Sequence, residues 1–168
     1  MTESGDKIAF AGTIPERYDR YLAPALFEPY ALDIAARVSR NSQRVLDLAC
    51  GTGIVTRRLR ETMPAGARLT ATDLSEAMIA YARAHAPPAP GLEFRPADAA
   101  ALPFEAASFD AVLCQFGIMF VPDNGKAAAC REARRVLAPG GTFLFNVWDS
   151  LRFNPVSRIA QETISSIV

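Results

Sequence analysis

Three carboxylates, Asp47, Asp73 and Asp98, and one glycine-rich turn, Gly51-Thr52-Gly53, have the types and spacing that could do chemistry. The stretch VLDLACGTG, residues 45–53, sets an acid inside an apolar run just ahead of the glycines. Glycine lets a ligand approach the backbone closely, and such turns after strands usually cradle phosphate. Asp47 would repel a phosphate. The ligand must therefore want both glycine backbone and a negative charge. Asp73 follows Gly53 by twenty residues (73 − 53), an offset at which a carboxylate can accept both ribose hydroxyls of an adenosine. Asp98, in PADAAALPF, could accept from an adenine amino group while the neighbouring amide of Ala99 donates to a ring nitrogen. Each feature also has a plainer explanation: a tight turn with no ligand, an acid favoured by a helix N-terminus, and a solvated loop acid. Their joint spacing favours a ligand.

The candidates narrow by chemistry. A dinucleotide lays a pyrophosphate over G-x-G-x-x-G, but here the third glycine is Thr56, and Asp47 disfavours the anion. A nucleoside triphosphate needs Gly-Lys-Ser/Thr after the turn, which is absent. S-adenosylmethionine carries no phosphate. Its methionine end bears an ammonium and an α-carboxylate, and its centre is a sulfonium. A carboxylate at Asp47, with bare amides at Gly51 and Gly53, suits that end.

These residues must be held by regular elements. PALFEPYALDIAARV spaces Leu26, Tyr30, Ile34 and Val38 as a helix over residues 24–39, behind a loose tail at 1–13. Strands RVLDLA, ARLTATD, LEFRPAD, FDAVLCQF and TFLFNVW then alternate with helices GIVTRRLRETM, LSEAMIAYARAH and NGKAAACREARRVLA. Ser75 is a candidate N-cap, and Pro139, Gly140 and Gly141 close the last of these helices. NPVSRIAQETISSIV starts one more helix, with Asn154 as N-cap and Pro155 at its first position. Such alternation predicts an α/β fold: a doubly wound, mostly parallel sheet with helices on both faces and chemistry at the carboxyl ends of its strands. Gln115 and Phe116 close the fourth strand at that edge. Phe116, Met119 and Phe120 could wall a substrate cavity, although Met119 and Phe120 read better as core.

Composition bounds the partners. The formal net charge is zero, so no bulk basic field recruits nucleic acid. The longest weakly polar run, AVLCQFGIMFV, is too short for a membrane span. Three cysteines, Cys50, Cys114 and Cys130, lack metal-ligand spacing, and with a single histidine a zinc site is not expected. A reducing cytoplasm is the default location. His85, the one histidine, precedes APPAP at a helix end, far from the strand ends, and reads as a surface residue rather than a general base.

In order, VLDLACGTG, TATDLSEAM, PADAAALPF, FDAVLCQFGIMFVPD and EARRVLAPGGTFLFNVWD resemble the signature segments of the class I S-adenosylmethionine-dependent methyltransferases. The likeness is greatest to their ubiquinone/menaquinone-type small-molecule branch, and it extends over residues 14–168 through the cap-like segment IPERYDRYLAPALFEPYA. The resemblance implies a Rossmann-like sheet of order 3-2-1-4-5 in a single domain: tail and helical cap at 1–40, cofactor-binding core at 41–150, and the start of a substrate region at 151–168. It places Asp47, Ala49, Gly51 and Gly53 along the methionine end, and Asp73 on the ribose. Leu74 and Met78 would pack on the adenine side, with Asp98 and Ala99 on the adenine edge. Gln115 would lie near the methionine moiety, and Tyr18 and Tyr21 in the cap would close over the cofactor, Tyr18 being a weak candidate base. Ala49 stands where the family usually has glycine. The family fold adds two more strands after the fifth, whereas this sequence stops at Val168. The sequence therefore reads as a fragment, or as a short form whose sheet edge needs covering, by a second copy for example. The expected partner is a small-molecule methyl acceptor. A non-catalytic S-adenosylmethionine-binding domain and an NAD(P)-dependent oxidoreductase are the alternatives.

Overall fold

The computed structural model describes residues 13–167, so the predicted tail lies outside the described residues except for Thr13. Five strands, β1 (Arg44–Leu48), β2 (Arg68–Asp73), β3 (Leu92–Pro96), β4 (Phe109–Gln115) and β5 (Leu137–Asn146), form one sheet. All pairings are parallel and the order is β3-β2-β1-β4-β5, as expected, with β1 central.

Side-chain alternation along β1 decides what faces what. Val45 packs with Leu69 and Leu113 against Ile54, Val55 and Leu59 of helix α3 (Ile54–Thr62). Leu46 and Leu48 point the other way, onto Ala129, Ala133 and Val136 of α5 (Asp123–Val136). Burying each such β1 side chain contributes about 1.5–3 kcal/mol. Period two then puts Asp47 on the α3 face, a carboxyl between Ala71 of β2 and Leu113 of β4. Helix α4 (Glu76–His85) covers β2 and β3 through Ile79 and Ala82, and Ser75 caps it, its Oγ accepting from the Met78 amide at 3.3 Å.

Four sequence expectations are corrected. The helical cap begins at Ile14, not near Pro24: α1 (Ile14–Arg17) runs through a wide π-type stretch, Tyr18–Phe27, into α2 (Glu28–Ala36). Pro24, with no N–H to donate, sits inside that wide stretch. Second, β5 follows α5 with no loop. The Pro139-Gly140-Gly141 segment expected to close the helix is instead a bulge within the strand, since pairing passes from Phe109–Leu137 directly to Ala111–Thr142. Third, β5 ends at Asn146, leaving Trp148 beyond it to stack on Phe116 at 4.2 Å. Fourth, Asn154 precedes α6 (Pro155–Ser165) without capping it, because its side-chain amide donates to the carbonyls of Asp149 and Ser150. Helix α6 buries none of its residues. Among the described residues, no helix is long and apolar enough to cross a membrane.

Candidate functional site

Asp47 is 1 % exposed. Its Oδ2 accepts from the hydroxyl of Thr56, in the first turn of α3, at 2.5 Å, and its Oδ1 has no hydrogen-bond partner among the described residues. Burial pushes this carboxyl up to about 7; the Thr56 hydrogen bond works against that and nearby Asp73 adds to it. Thr56 is the functional residue the sequence reading missed. In the sequence it registers only as a missing third glycine.

The turn after β1 is built from left-handed residues: Ala49 (φ 55°), Gly51 (φ 55°) and Gly53 (φ 82°). A side chain costs free energy in that conformation, which explains a family preference for glycine where Ala49 stands. The amides expected to be bare are both engaged: Gly51 N–H donates to Asp73 Oδ2 at 2.9 Å and Gly53 N–H to the Cys50 carbonyl at 2.9 Å. A side chain built at Gly51 would meet nothing within 4 Å, so the turn is open to a ligand there. Asp73 also accepts from the Ser75 amide at 2.9 Å through Oδ1. Its carboxyl is raised by burial and held back by the backbone amides of Ser75, Gly51 and Leu74. One carboxylate thereby ties the first turn to the second.

The cap lies over this edge. Arg57 Nη2 pairs with Asp19 at 2.8 Å while its Nη1 donates to the Thr52 carbonyl at 2.8 Å. Gln115 Nε2 donates to the Phe27 carbonyl at 3.3 Å, leaving its Oε1 buried without a partner. Tyr18 stacks on Phe27 at 5.0 Å, and burial, with Asp73 and Asp19 near, pushes its phenol up to about 12. Such a phenol is a poor general base. Tyr21 is not brought to the edge in the same way: it is 61 % exposed, under the Arg20 guanidinium. Phe116, at φ 53° and buried, packs on Phe27, Tyr30 and Trp148.

The remaining predicted residues diverge. Leu74 is 63 % exposed beside Asp73, whereas Met78 is buried. Asp98 is exposed and accepts from the Ala100 amide at 2.8 Å, closing its own turn, and Ala99 is half-buried over the α5 face. Met119 and Phe120, expected as core, are not in it: the short turn after β4 leaves Met119 half-buried and Phe120 exposed. His85 sits at the far end of α4, stacked on Tyr81 at 3.8 Å. With Glu16, Asp19 and Arg20 it lines a groove of about 710 Å³ between α1 and α4. Cys50 and Cys114 adjoin the turn, but burial raises both thiols, Cys114 to about 12, so neither offers a ready thiolate.

A family model described as a methyltransferase domain matches residues 45–141. The demethylmenaquinone methyltransferase of Thermus thermophilus is 45 % identical over 113 residues, 66 % of this chain and 49 % of the relative. The ubiquinone/menaquinone biosynthesis C-methyltransferase UbiE of Brucella anthropi is 39 % identical over 131 residues, 69 % of this chain and 49 % of the relative. The chain thus spans about half the length of the curated relatives it matches. Among solved structures, S-adenosylmethionine-bound CalS10, an amino pentose methyltransferase from Micromonospora echinaspora, superposes with a TM-score of 0.66 at 27 % identity, over 77 % of this chain and 54 % of that one.

Proposed function

Because the chain belongs to the class I S-adenosylmethionine-dependent methyltransferase family, we propose that it captures S-adenosylmethionine at the carboxyl edge of β1–β3 and presents the methyl group to a small-molecule acceptor. The observation that carries this reading is Asp47 Oδ1, a buried carboxyl oxygen with no partner, next to a turn open at Gly51. A buried, unpartnered carboxyl oxygen is costly in a protein on its own, and an ammonium would satisfy it. The cofactor, when bound, supplies a methyl carbon made electrophilic by its sulfonium. The chain's own residues bind and orient. Asp47, Ala49, Gly51 and Gly53 hold the amino-acid end. Asp73 takes the ribose hydroxyls on its remaining lone pairs. Leu74 and Met78 flank the adenine, and Asp98 and Ala99 meet its edge. Gln115 Oε1 faces the methionine portion, with Tyr18 above.

We assign the chain to one methyltransferase domain in the cytoplasm, a reading supported by its three unpaired cysteines. We infer that a second copy covers the free edge of β5, where Phe145 is 54 % exposed. Exposed apolar edges of this kind favour pairing.

Calorimetry tests the cofactor claim. Replacing Asp73 with alanine removes two charge-assisted hydrogen bonds, about 2–4 kcal/mol, so S-adenosylhomocysteine affinity falls roughly 30- to 900-fold. Unchanged affinity would refute the ribose role, and tighter binding of NADH than of S-adenosylmethionine would overturn the whole reading. Binding of labelled S-adenosylmethionine, without methyl transfer to any small-molecule extract, would mark a binding domain instead of an enzyme.

A further inference from the structure

Asp47 is sealed between elements that bring no positive charge. From α3 it meets the Thr56 hydroxyl and backbone amide. From β2 it feels Asp73, and its neighbours in the turn and on β4 are the thiols Cys50 and Cys114. Arg57, next to Thr56 in sequence, turns its guanidinium away to Asp19 and the Thr52 carbonyl. From the cap, Tyr18 brings a phenol near Asp73, not a cation. Among the described residues, no salt bridge reaches either Asp47 or Asp73. Two carboxyls on one face of adjacent strands, Asp47 buried and Asp73 half-buried, disfavour each other's ionisation. Burial of Asp47 with no cation beside it favours the protonated carboxyl when no ligand is bound.

We propose that cofactor capture here is an exchange of cations: the ammonium of the bound amino-acid tail replaces a proton on Asp47, which leaves to solvent, and Thr56 is the positioning residue that makes the exchange possible. This rests on the reading of the site given above. Thr56 donates to Oδ2 and so fixes the carboxyl with Oδ1 free. It also favours the carboxylate that must form when the proton departs. No bond to carbon changes; one proton moves from Oδ1 to buffer for each ligand bound. Binding therefore tightens as pH rises through the titration of Asp47, then levels off. The direction follows from linkage: the ligand-free form holds a proton that the complex lacks.

Titration calorimetry in buffers of different ionisation enthalpy measures the proton directly. The probe is S-adenosylhomocysteine, whose sulfur is uncharged, so the ammonium is its only cation. At pH 6.5 the wild-type chain should release about 0.5–1 proton per ligand, given a carboxyl near 7. Its dissociation constant should fall roughly tenfold from pH 5.5 to 6.5 and flatten above about 7.5. Methylthioadenosine, which lacks the amino-acid tail but keeps the ribose, should release none. Asp47→Asn should bind S-adenosylhomocysteine more weakly, with no proton release and a flat pH profile. Thr56→Val should keep the release but shift its midpoint to higher pH, an effect that loosened packing alone would not produce. Heats of S-adenosylhomocysteine binding that do not depend on buffer would overturn the exchange and leave the cofactor reading standing. Equal proton release by methylthioadenosine would overturn it too, placing the proton on Asp73. Failure of both ligands to bind the wild-type chain would overturn the exchange and the cofactor reading together.

Discussion

Ala49 and Gly117 form a steric lock between the turn after β1 and the end of β4, and a double-mutant cycle can open it. A Cβ built on Gly117 would lie 2.4 Å from Ala49 Cβ and 2.9 Å from Cys114 Sγ, where carbon atoms prefer about 3.5–4.0 Å. Gly117→Ala should therefore cost about 3 kcal/mol, the upper end of overpacking penalties, because two buried neighbours must move. Ala49 already sits at φ 55°, which costs a side chain about 1–2 kcal/mol. Ala49→Gly removes that strain, offset by about 0.5–1 kcal/mol of extra freedom in the unfolded chain, so alone it should change stability by less than about 1 kcal/mol. In the double variant the tighter clash is gone and only the Cys114 contact remains. Gly117→Ala should then cost about 1–2 kcal/mol less than in the wild-type background, and that difference is the coupling energy. Urea unfolding followed by circular dichroism gives all four stabilities, provided the slopes agree. Additivity within about 0.5 kcal/mol would refute the lock.

Asp47→Asn should stabilise the ligand-free chain at alkaline pH. The folded carboxyl is raised from 3.8 to about 7, so its penalty is absent below about pH 4, grows between pH 4 and 7, and stays constant above. At pH 8 the gain approaches at most about 4 kcal/mol, and urea midpoints of wild type and variant that run parallel from pH 4.5 to 8 would contradict it. Arg57→Met should free the cap at a cost of about 1 kcal/mol, speeding hydrogen exchange of residues 14–27 while β1 amides stay protected; equal acceleration in both would mean that Arg57 supports the whole fold. Phe145→Lys should shift sedimentation from dimer toward monomer, and a wild-type chain that is monomeric at high concentration defeats the proposed pairing.

The sheet was legible in the sequence because its signals are local. A continuous apolar run in β4 marked a strand buried on both faces, and the spacing of Gly53 and Asp73 marked two adjacent strand ends. What escaped the reading depends on contacts between elements. Thr56 reaches Asp47 only because α3 lies on the face that period two gives to Asp47, and no window of residues shows that. The cap began ten residues early because Pro24 looked like a helix start, when it is tolerated in a widened turn. Pro139-Gly140-Gly141 carried the composition of a helix stop and the geometry of a bulge, since both need residues that leave ladder bonding. The amides of Gly51 and Gly53 were expected to be bare because their acceptors, Asp73 and Cys50, are set by the folding of the turn itself.

The bulge in β5 has a consequence for altering the chain. With α5 running straight into the strand, the slack that would normally lie in a connecting loop is stored inside the sheet, where Pro139 and Gly140 stand exposed. They line the amino edge, with Ser42 and Asp110, opposite the edge that holds Asp47 and Asp73. A peptide tag or a fluorescent domain spliced between Pro139 and Gly140 would extend a stretch that pairs with nothing, leaving the rungs from Ala111–Thr142 onward in place. Here the place to lengthen the chain is within a strand.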